Sequence, residues 1–220
     1  MTHLLLSGAM SMAFQLKSDM TSLDTPFILS TVVVGPLATN TYILGSKSSG
    51  ECLIIDPVAE ATTIIAKVIE LNLKIIYIIN THGHGDHIGG LDRLQEVMDC
   101  PVRCHPKLAP RLAQNLGKDC VVSLRSREMI LASSGIALKA LFTPGHEEDH
   151  VCYYLRADRV LFSGDNILGN SSSSVRNLKQ YMASLDIMAQ QKPSIICPGH
   201  GQIIPVSYTH LRAHETDSYL

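Results

Sequence analysis

The order of strand-like and helix-like segments predicts an α/β or α+β layered domain. Short runs of branched apolar residues alternate with segments in which apolar residues recur at helical spacing. Residues 73–80, LKIIYIIN, have the composition of a buried strand, and residues 59–71 place Ile64, Ile65 and Val68 on one side of a helix. Such alternation in two halves of the chain is typical of helices packed on sheets.

The other predicted elements follow the same rhythm. Strands are predicted at 27–34, 40–44, 51–55 and 194–197, with short strands within 120–141 and a hairpin over 151–162. Helices are predicted at 88–97, at 177–189, and within 100–114, where the helix would begin at Pro106. The helix at 177–189 carries an apolar stripe that indicates core contact. The stripe consists of Leu178, Tyr181, Met182, Leu185 and Met188.

Length and composition favour one globular domain. The chain has 220 residues, of which 45% are hydrophobic, so it can bury a good-sized core. A net charge of −2 argues against a globally basic nucleic-acid binder, although a local basic strip is compatible with it. No run of apolar residues is long enough to span a membrane. The six scattered cysteines suggest buried free thiols in a reducing, intracellular compartment.

The two ends of the chain differ from its centre. Residues 1–25 are expected to form a loosely ordered lead-in, because they lack the early basic residues of a secretory signal and the arginines of a mitochondrial one. Residues 26–205 are predicted to form the single domain. Residues 206–220, VSYTHLRAHETDSYL, resemble a translated sequencing adapter, so we expect a non-native tail in place of a missing native C-terminal region.

One six-residue stretch after the strand at 73–80 is rich in metal-ligand side chains. Its ligand-type residues are His82, His84, Asp86 and His87. The intervening Gly83 and Gly85 are expected to make room for them. Imidazoles and a carboxylate at this density suit zinc or a similar divalent ion.

Three further candidates each follow a short apolar run. His146 comes after 136–142, Asp165 after 159–162, and His200 after 194–197. Because strand ends can meet at one edge of a sheet, loops there can bring together ligands from distant parts of the sequence.

The H-x-H-x-D-H pattern followed by Gly-Gly, with these three later residues, resembles the signature of the metallo-β-lactamase superfamily. The resemblance implies a four-layer αββα sandwich that holds two zinc ions. One ion would be held by His82, His84 and His146, and the other by Asp86, His87 and His200, with Asp165 bridging them. Asp86, His87 and Asp165 would form the catalytic centre around a metal-bridged hydroxide. A dinuclear site is also reasonable because seven ligands are too many for one tetrahedral zinc.

Within the superfamily, residues 27–205 look most like the endoribonuclease group known as β-lactamase-like protein two. The resemblance rests on TPGHEEDH, SGDNILG and YMASL. It implies cleavage of single-stranded RNA and a possible mitochondrial matrix location. Ser172, Arg176 and Lys179 are then candidate phosphate contacts. The alternatives are a glyoxalase II-like thioesterase and a metal-binding fold without catalysis; the oligomeric state is open.

The chain departs from that group at two places near the predicted site. Glu147 stands where the group commonly has Thr, and residues 170–174 form a serine run. His150 is expected to lie behind the ligands or on the substrate side. His105, with Cys100 and Cys104 nearby, is interpreted as structural rather than as a second zinc site.

Overall fold

Two six-stranded sheets face each other across a shared apolar layer. The computed structural model describes residues 25–132 and 136–206, so nearly all of the predicted lead-in and tail lies outside the described residues. The strands are β1 Phe27–Val34, β2 Thr39–Ser46, β3 Glu51–Ile55, β4 Lys74–Ile79, β5 Val102–Cys104, β6 Val121–Ser123, β7 Met129–Ala132, β8 Ile136–Phe142, β9 Val151–Leu155, β10 Val160–Gly164, β11 Ile195–Pro198 and β12 Ile204–Pro205. The helices are α1 Ala61–Glu70, α2 Gly85–Ile88, α3 Leu91–Met98, α4 Ala109–Leu116 and α5 Leu178–Gln190, with a 3₁₀ turn at Lys118–Cys120.

The strand order places parallel pairs beside the predicted site. The first sheet runs β1-β2-β3-β4-β5-β6 and the second β12-β11-β10-β9-β8-β7. The pairs β3/β4 and β10/β11 are parallel, whereas β1/β2, β2/β3 and β7 to β10 pair antiparallel. Strands that run parallel end at the same edge, so the loops after β3 and β4 meet, and so do those after β10 and β11.

Strand β2 shows how the layers form. All eight of its residues are buried, because the second sheet covers one face of the strand and helices cover the other. Tyr42 and Leu44 point into the layer between the sheets, and Ile43 points toward the helices, as the two-residue period of a strand requires. Fully burying a side chain such as Leu44 stabilises the fold by about 1.5–3 kcal/mol.

Helices cover both outer faces. Ile64 of α1, Leu94 of α3 and Leu112 of α4 pack on the first sheet. Met188 of α5 packs on the second sheet with Leu161. The order helix, sheet, sheet, helix confirms the predicted four-layer αββα sandwich.

Three details of the predicted elements are wrong. The helix predicted at 88–97 is two helices, because the chain turns at Gly90, whose backbone lies so close to Val58 that a Cβ would come within 2.0 Å of the Val58 oxygen. The helix predicted to begin at Pro106 begins at Ala109. Leu178, predicted as part of the core stripe, is 63% exposed because it opens α5 at the edge of the layer.

The cysteines and the helices bear on the predictions about the compartment and the membrane. All six cysteines are free thiols, and five of them are buried, while Cys120 is half-buried. Within the part of the chain that the structure describes, no helix has both the length and the hydropathy needed to cross a bilayer. The reducing compartment itself stays a prediction.

Candidate metal centre

The predicted ligands lie together at one edge of the sandwich. His82 and His84 follow β4, and Asp165 follows β10. The two sheets are joined there by backbone hydrogen bonds, from Val151 N to the Thr81 oxygen (2.7 Å) and from Asn40 N to the Gly199 oxygen (2.7 Å). Residues far apart in sequence therefore share one site because the parallel strand ends of both sheets meet.

We call His82, His84 and His146 the first set. Nδ1 of His84 lies 3.0 Å from Nε2 of His82 and 3.2 Å from Nε2 of His146. Their ligand atoms lie within 4.8 Å of one another and of a carboxylate oxygen of Asp165, a spacing that a metal ion can fill.

We call Asp86, His87 and His200 the second set. Oδ2 of Asp86 lies 3.2 Å from Nε2 of His200 and 3.6 Å from Nε2 of His87. Asp165 lies between the sets: its Oδ1 is 3.2 Å from His87 Nε2, and its Oδ2 is 3.7 Å from His146 Nε2 and 3.5 Å from His200 Nε2. The seven residues predicted from sequence are thus all brought together.

The hydrogen bonds of the outer ring nitrogens show which nitrogen of each first-set histidine carries the proton. The other nitrogen of each ring faces inward with a lone pair. Nδ1 of His146 lies 2.8 Å from the Ser174 carbonyl oxygen, which can only accept, so Nδ1 carries the proton. Nε2 of His84 contacts the Glu147 carboxylate at 2.6 Å and is a donor for the same reason. His82 contacts the Thr81 hydroxyl through Nδ1 at 3.0 Å.

That hydroxyl donates its single hydrogen to Asp56 (2.7 Å), so Nδ1 of His82 must donate to the hydroxyl oxygen. Three lone pairs therefore face one another in the first set, with Nδ1 of His84 within 3.2 Å of the other two nitrogens. Such an arrangement is unfavourable unless a cation lies between them. An outer N–H bonded to a carbonyl or carboxylate is also the usual state of metal-binding histidines.

The second set follows the same rule. Nδ1 of His87 contacts the Asp56 carboxylate at 3.0 Å, and Nδ1 of His200 contacts the Leu37 carbonyl oxygen at 3.1 Å. Each Nε2 is left pointing at carboxylates. Buried His87 Nε2 and Asp165 Oδ1, although close, make no well-aligned hydrogen bond to any described residue. The donor set therefore fits divalent metal ions.

Burial keeps two histidines of the first set, His82 and His146, neutral. Burial and the neighbouring His87 hold the pKa of His82 well below its usual range. Burial also lowers the pKa of His146. Neutral imidazoles are the form that binds metal.

In the second set, neighbouring carboxylates raise the pKa values of the histidines. Burial alone would lower the pKa of His87, but the Asp56 and Asp165 carboxylates outweigh it and raise the pKa to about 10. The hydrogen bond to Asp165 raises the pKa of His200. Burial alone would raise the pKa of Asp165, yet His200 and His87 hold it well below its usual range, so it stays an anion.

Sequence reasoning missed Asp56. This buried carboxylate accepts hydrogen bonds from the backbone N and the hydroxyl of Thr81, both at 2.7 Å, and from Nδ1 of His87. It thus holds His87 directly and His82 through Thr81. The signal was present in the sequence, because Asp56 directly follows a strand, as the predicted ligand Asp165 does.

His150 lies behind the ligands, and the alternative position on the substrate side is wrong. It is fully buried, stacks on His82 with ring centroids 5.3 Å apart, and accepts a hydrogen bond from the Asp165 backbone N at 3.2 Å. Burial, with His146 nearby, lowers the pKa of His150 to about 3, so it is neutral and can accept that bond.

Two minor expectations have different outcomes. The nearest atoms to a Cβ at Gly83 would belong to Arg111, Leu108 and Asp149, and a Cβ at Gly85 would meet nothing within 4 Å, so the expectation that these glycines make room for the ligands is wrong. The structural interpretation of His105 fits its packing. Its ring lies 4.2 Å from that of Phe142, and its Nδ1 accepts from the Lys107 backbone N.

A cavity of about 500 Å³ opens beside His84, and we call it the His84 cavity. Its walls carry cations and anions in equal number: Lys107, Arg111, Arg176, Glu147, Glu148 and Asp149. Lys107 pairs with Glu148 at 2.6 Å, and Arg176 pairs with Glu147 at 2.9 Å. Of the predicted substrate contacts, Arg176 lines this cavity, whereas the exposed Ser172 and Lys179 are not among its lining residues.

The family follows from the match of the whole core. The model of the metallo-β-lactamase superfamily matches residues 34–200. The chain belongs to the metallo-β-lactamase superfamily. The resemblance read from the histidine pattern is therefore confirmed, and the superfamily is one of hydrolases that bind metal through a His/Asp cluster.

Curated relatives within the superfamily have different names. The chain is 34% identical over 176 residues to a β-lactamase-like protein 2 homolog of Caenorhabditis elegans, which covers 76% of this chain and 57% of that protein. It is 33% identical over 171 residues to the atrochrysone carboxyl ACP thioesterase AgnL7 of Paecilomyces divaricatus, covering 76% of this chain and 51% of that protein. The chain spans about half the length of the curated relatives it matches.

A solved metallo-β-lactamase-fold structure bears on the metal. TTHA1623 in a di-iron-bound form superposes with a TM-score of 0.68 at 27% identity, covering 80% of this chain and 93% of that chain. Since the fold is found with two irons there, the fold by itself does not select zinc here.

Proposed function

We propose that this protein is a dinuclear metal-dependent hydrolase whose substrate is single-stranded RNA. The observation that carries the metal-dependent part is the arrangement of five histidines. Each has its outer ring nitrogen tied to an acceptor or to the Thr81 hydroxyl, and each points its inner ring nitrogen at the space around Asp165.

The first set would hold one ion and the second set the other, with Asp165 shared. Zinc is the metal we favour, because neutral imidazoles with a few carboxylates suit it, and the three nitrogens of the first set with one carboxylate make four ligands. When bound, the two ions would supply a water-derived nucleophile at neutral pH and polarise the bond that breaks.

The chain's own residues would orient the water and move its proton. The Asp86 carboxylate is held by Thr39, whose hydroxyl donates to Oδ2 at 3.3 Å, and it is half-buried beside His200. Asp86 can therefore orient a water molecule and accept its proton, while Asp165, which His87 holds in place as an anion, helps to orient the water. These are the roles we assign to the three predicted catalytic residues.

The RNA substrate is supported by the resemblance of the segments after His146 and Asp165 and by the cations of the His84 cavity. Arg176 is 72% exposed by its side chain, and Lys107 58%, so both can reach a phosphodiester outside the cluster. Lys179 and Ser172 would contact phosphates farther along the strand. The proposal extends to the mitochondrial matrix as the compartment, because that is where the resembling group acts.

A thioester is the second candidate substrate, and two observations favour it. AgnL7 is named as a thioesterase, and Glu147, Glu148 and Asp149 place three carboxylates around the cavity. Carboxylates repel a polyanion more than a neutral thioester carbonyl. The same metal cluster would serve either substrate, so only the groups around it separate the two.

One assay distinguishes the candidates. The purified full-length chain is incubated with end-labelled single-stranded RNA and, separately, with S-lactoylglutathione and an acyl thioester of an acyl carrier protein. Each reaction is run with and without chelator, and with Asp165→Asn to exclude a contaminating nuclease. Chelator-sensitive RNA cleavage that Asp165→Asn removes is expected. Thioester hydrolysis with intact RNA would overturn the ribonuclease proposal, and metal-independent cleavage would overturn both.

A further inference from the structure

One carboxylate oxygen of Glu147 contacts both the metal cluster and the His84 cavity. Oε1 accepts a hydrogen bond from Nε2 of His84 at 2.6 Å, and the same atom lies 2.9 Å from Nε of Arg176. The Glu147 side chain is 14% exposed, whereas that of Arg176 is 72% exposed. A partly buried anion thus joins a predicted metal ligand to an exposed cation on the cavity wall.

We propose that Glu147 is a positioning residue that aims Nδ1 of His84 at the first metal ion and couples that ion to Arg176. The inference rests on the proposed two-metal function and adds a specific support for the first set. A carboxylate next to Nε2 keeps the proton there, so the lone pair is on Nδ1, which faces His82 and His146.

His84 depends on this support more than the other two members of the first set do. His82 and His146 are buried, and their outer nitrogens are held by Thr81 and by the Ser174 carbonyl. The His84 side chain is 36% exposed, so packing does little to fix its ring. Without Glu147, water would compete for Nε2, and either tautomer and several ring orientations would be populated.

The backbone holds Arg176 in reach of Glu147. The backbone N of Arg176 donates to the Gly145 oxygen at 2.8 Å, and the backbone N of Gly145 donates to the Glu147 oxygen at 3.2 Å. The loop after β8 and the loop before α5 are therefore joined around this pair. Substituting Arg176 then acts on the first ion through Glu147, in addition to any contact that the guanidinium makes with substrate.

The test begins on the metal-free protein, so that it does not depend on any activity. Long-range ¹⁵N–¹H NMR of the histidine rings reports which nitrogen carries the proton. In the wild-type chain the His84 proton is expected on Nε2. In Glu147→Ala a mixture of tautomers is expected, and Glu147→Gln, which keeps an acceptor oxygen, is expected to restore most of the Nε2 form.

Zinc titration with a competing chelator then measures the two ions separately. We expect Glu147→Ala to weaken the first-set ion by about ten- to hundredfold and to leave the second-set ion within about twofold. Glu147→Gln is expected to lose less, and Arg176→Met less still. The matched control is Glu148→Gln, which removes the same charge from the same cavity at a residue that pairs with Lys107 and contacts no histidine.

Several results would overturn the inference: a His84 proton on Nδ1 in the wild-type chain, wild-type affinity for both ions in Glu147→Ala, or an equal loss in Glu148→Gln. The proposed function fails by different results, namely the absence of chelator-sensitive hydrolysis while the tautomer and the zinc affinities change as described.

Discussion

The first and second ligand sets both adjoin Asp165, but their histidines are prepared for metal in different ways. The first set is three imidazoles, and burial lowers the pKa of His82 and His146, so they are neutral in the absence of metal. In the second set the carboxylates raise the pKa of His200, and that of His87 to about 10, so protons occupy the place of the ion.

Histidine ligands can therefore serve two kinds of metal site. In the first set, the neutral His82 and His146 present lone pairs, so an ion binds to them without displacing a proton. The second set has negative charge, so an ion must compete with protons for it. We therefore expect the first set to bind its ion with little pH dependence and the second to respond strongly to pH.

The largest effect is expected where the two sets meet. Asp165→Asn removes the charge that both ions would share, so hydrolysis should fall on the order of a thousandfold and the bound metal should drop from two ions toward one. Metal content by mass spectrometry and initial rates measure this. Asp158→Asn, at the opposite end of β10, is the matched control and should keep two ions. A fully active, two-ion Asp165→Asn variant would refute the bridge.

Proton release should separate the sets next. Between about pH 8 and about pH 6, the affinity of the second-set ion should fall about tenfold per pH unit for each displaced proton, because the raised pKa of His87 keeps it protonated there. The first-set ion should change much less. Calorimetric titration in two buffers of different ionisation enthalpy counts the protons. Equal release for both ions would contradict the comparison.

Asp56 touches both sets but unequally, which gives a third test. Asp56→Asn weakens the direct hydrogen bond to His87. Its effect on His82 is smaller, because Asp56 supports that ring only through the Thr81 hydroxyl. The second-set ion should weaken about ten- to hundredfold, and the first-set ion less. Asp92→Asn, on the exposed face of α3, should change neither affinity. A larger loss of affinity for the first-set ion than for the second-set ion would contradict the conclusion that Asp56 supports the second set more.

The smallest effect concerns stability behind the first set. The pKa of His150 is lowered to about 3 in the folded chain. Below about pH 6.5 the unfolded chain therefore binds a proton at His150 that the folded chain does not bind. The free energy of unfolding should therefore fall as the pH falls. From about pH 6.5 to about pH 5 this group costs about 2 kcal/mol.

His150→Gln keeps an acceptor for the Asp165 backbone N and removes the titrating imidazole. In the presence of chelator, its free energy of unfolding should therefore fall by about 2 kcal/mol less than that of the wild type between the two pH values. The raised pKa of His87 acts in the opposite direction by only about 0.4 kcal/mol over this range, and it does so equally in the wild type and the variant. Urea unfolding at the two pH values measures the difference. The same acid loss in wild type and variant would show that His150 is not the group responsible.

Local patterns in the sequence were enough for much of the fold and for the ligands. The strand at 73–80 and the hairpin over 151–162 were predictable because apolar periodicity depends on burial, which neighbouring residues in the sequence already encode. The split of the helix at Gly90 was not, because its cause is a contact with Val58, more than thirty positions earlier.

The support of the ligands was less predictable than the ligands themselves. Histidines and a carboxylate in a dense pattern are rare, so the seven ligand-type residues stand out. Asp56 and the Ser174 carbonyl stand out less, since a single Asp after a strand is a weak signal and a backbone oxygen gives no signal. Their roles depend on distances of 3.0 Å to His87 and 2.8 Å to His146, which the fold alone creates.

The layered fold class, the metal-binding chemistry and the seven candidate ligands could be read from the amino-acid sequence, because they follow from residue type and local spacing. The folded chain was needed to show which ring nitrogens face inward, that His82 and His146 are neutral, and that Glu147 contacts both His84 and Arg176. Those properties depend on burial and on contacts between loops that parallel strand ends bring to one edge.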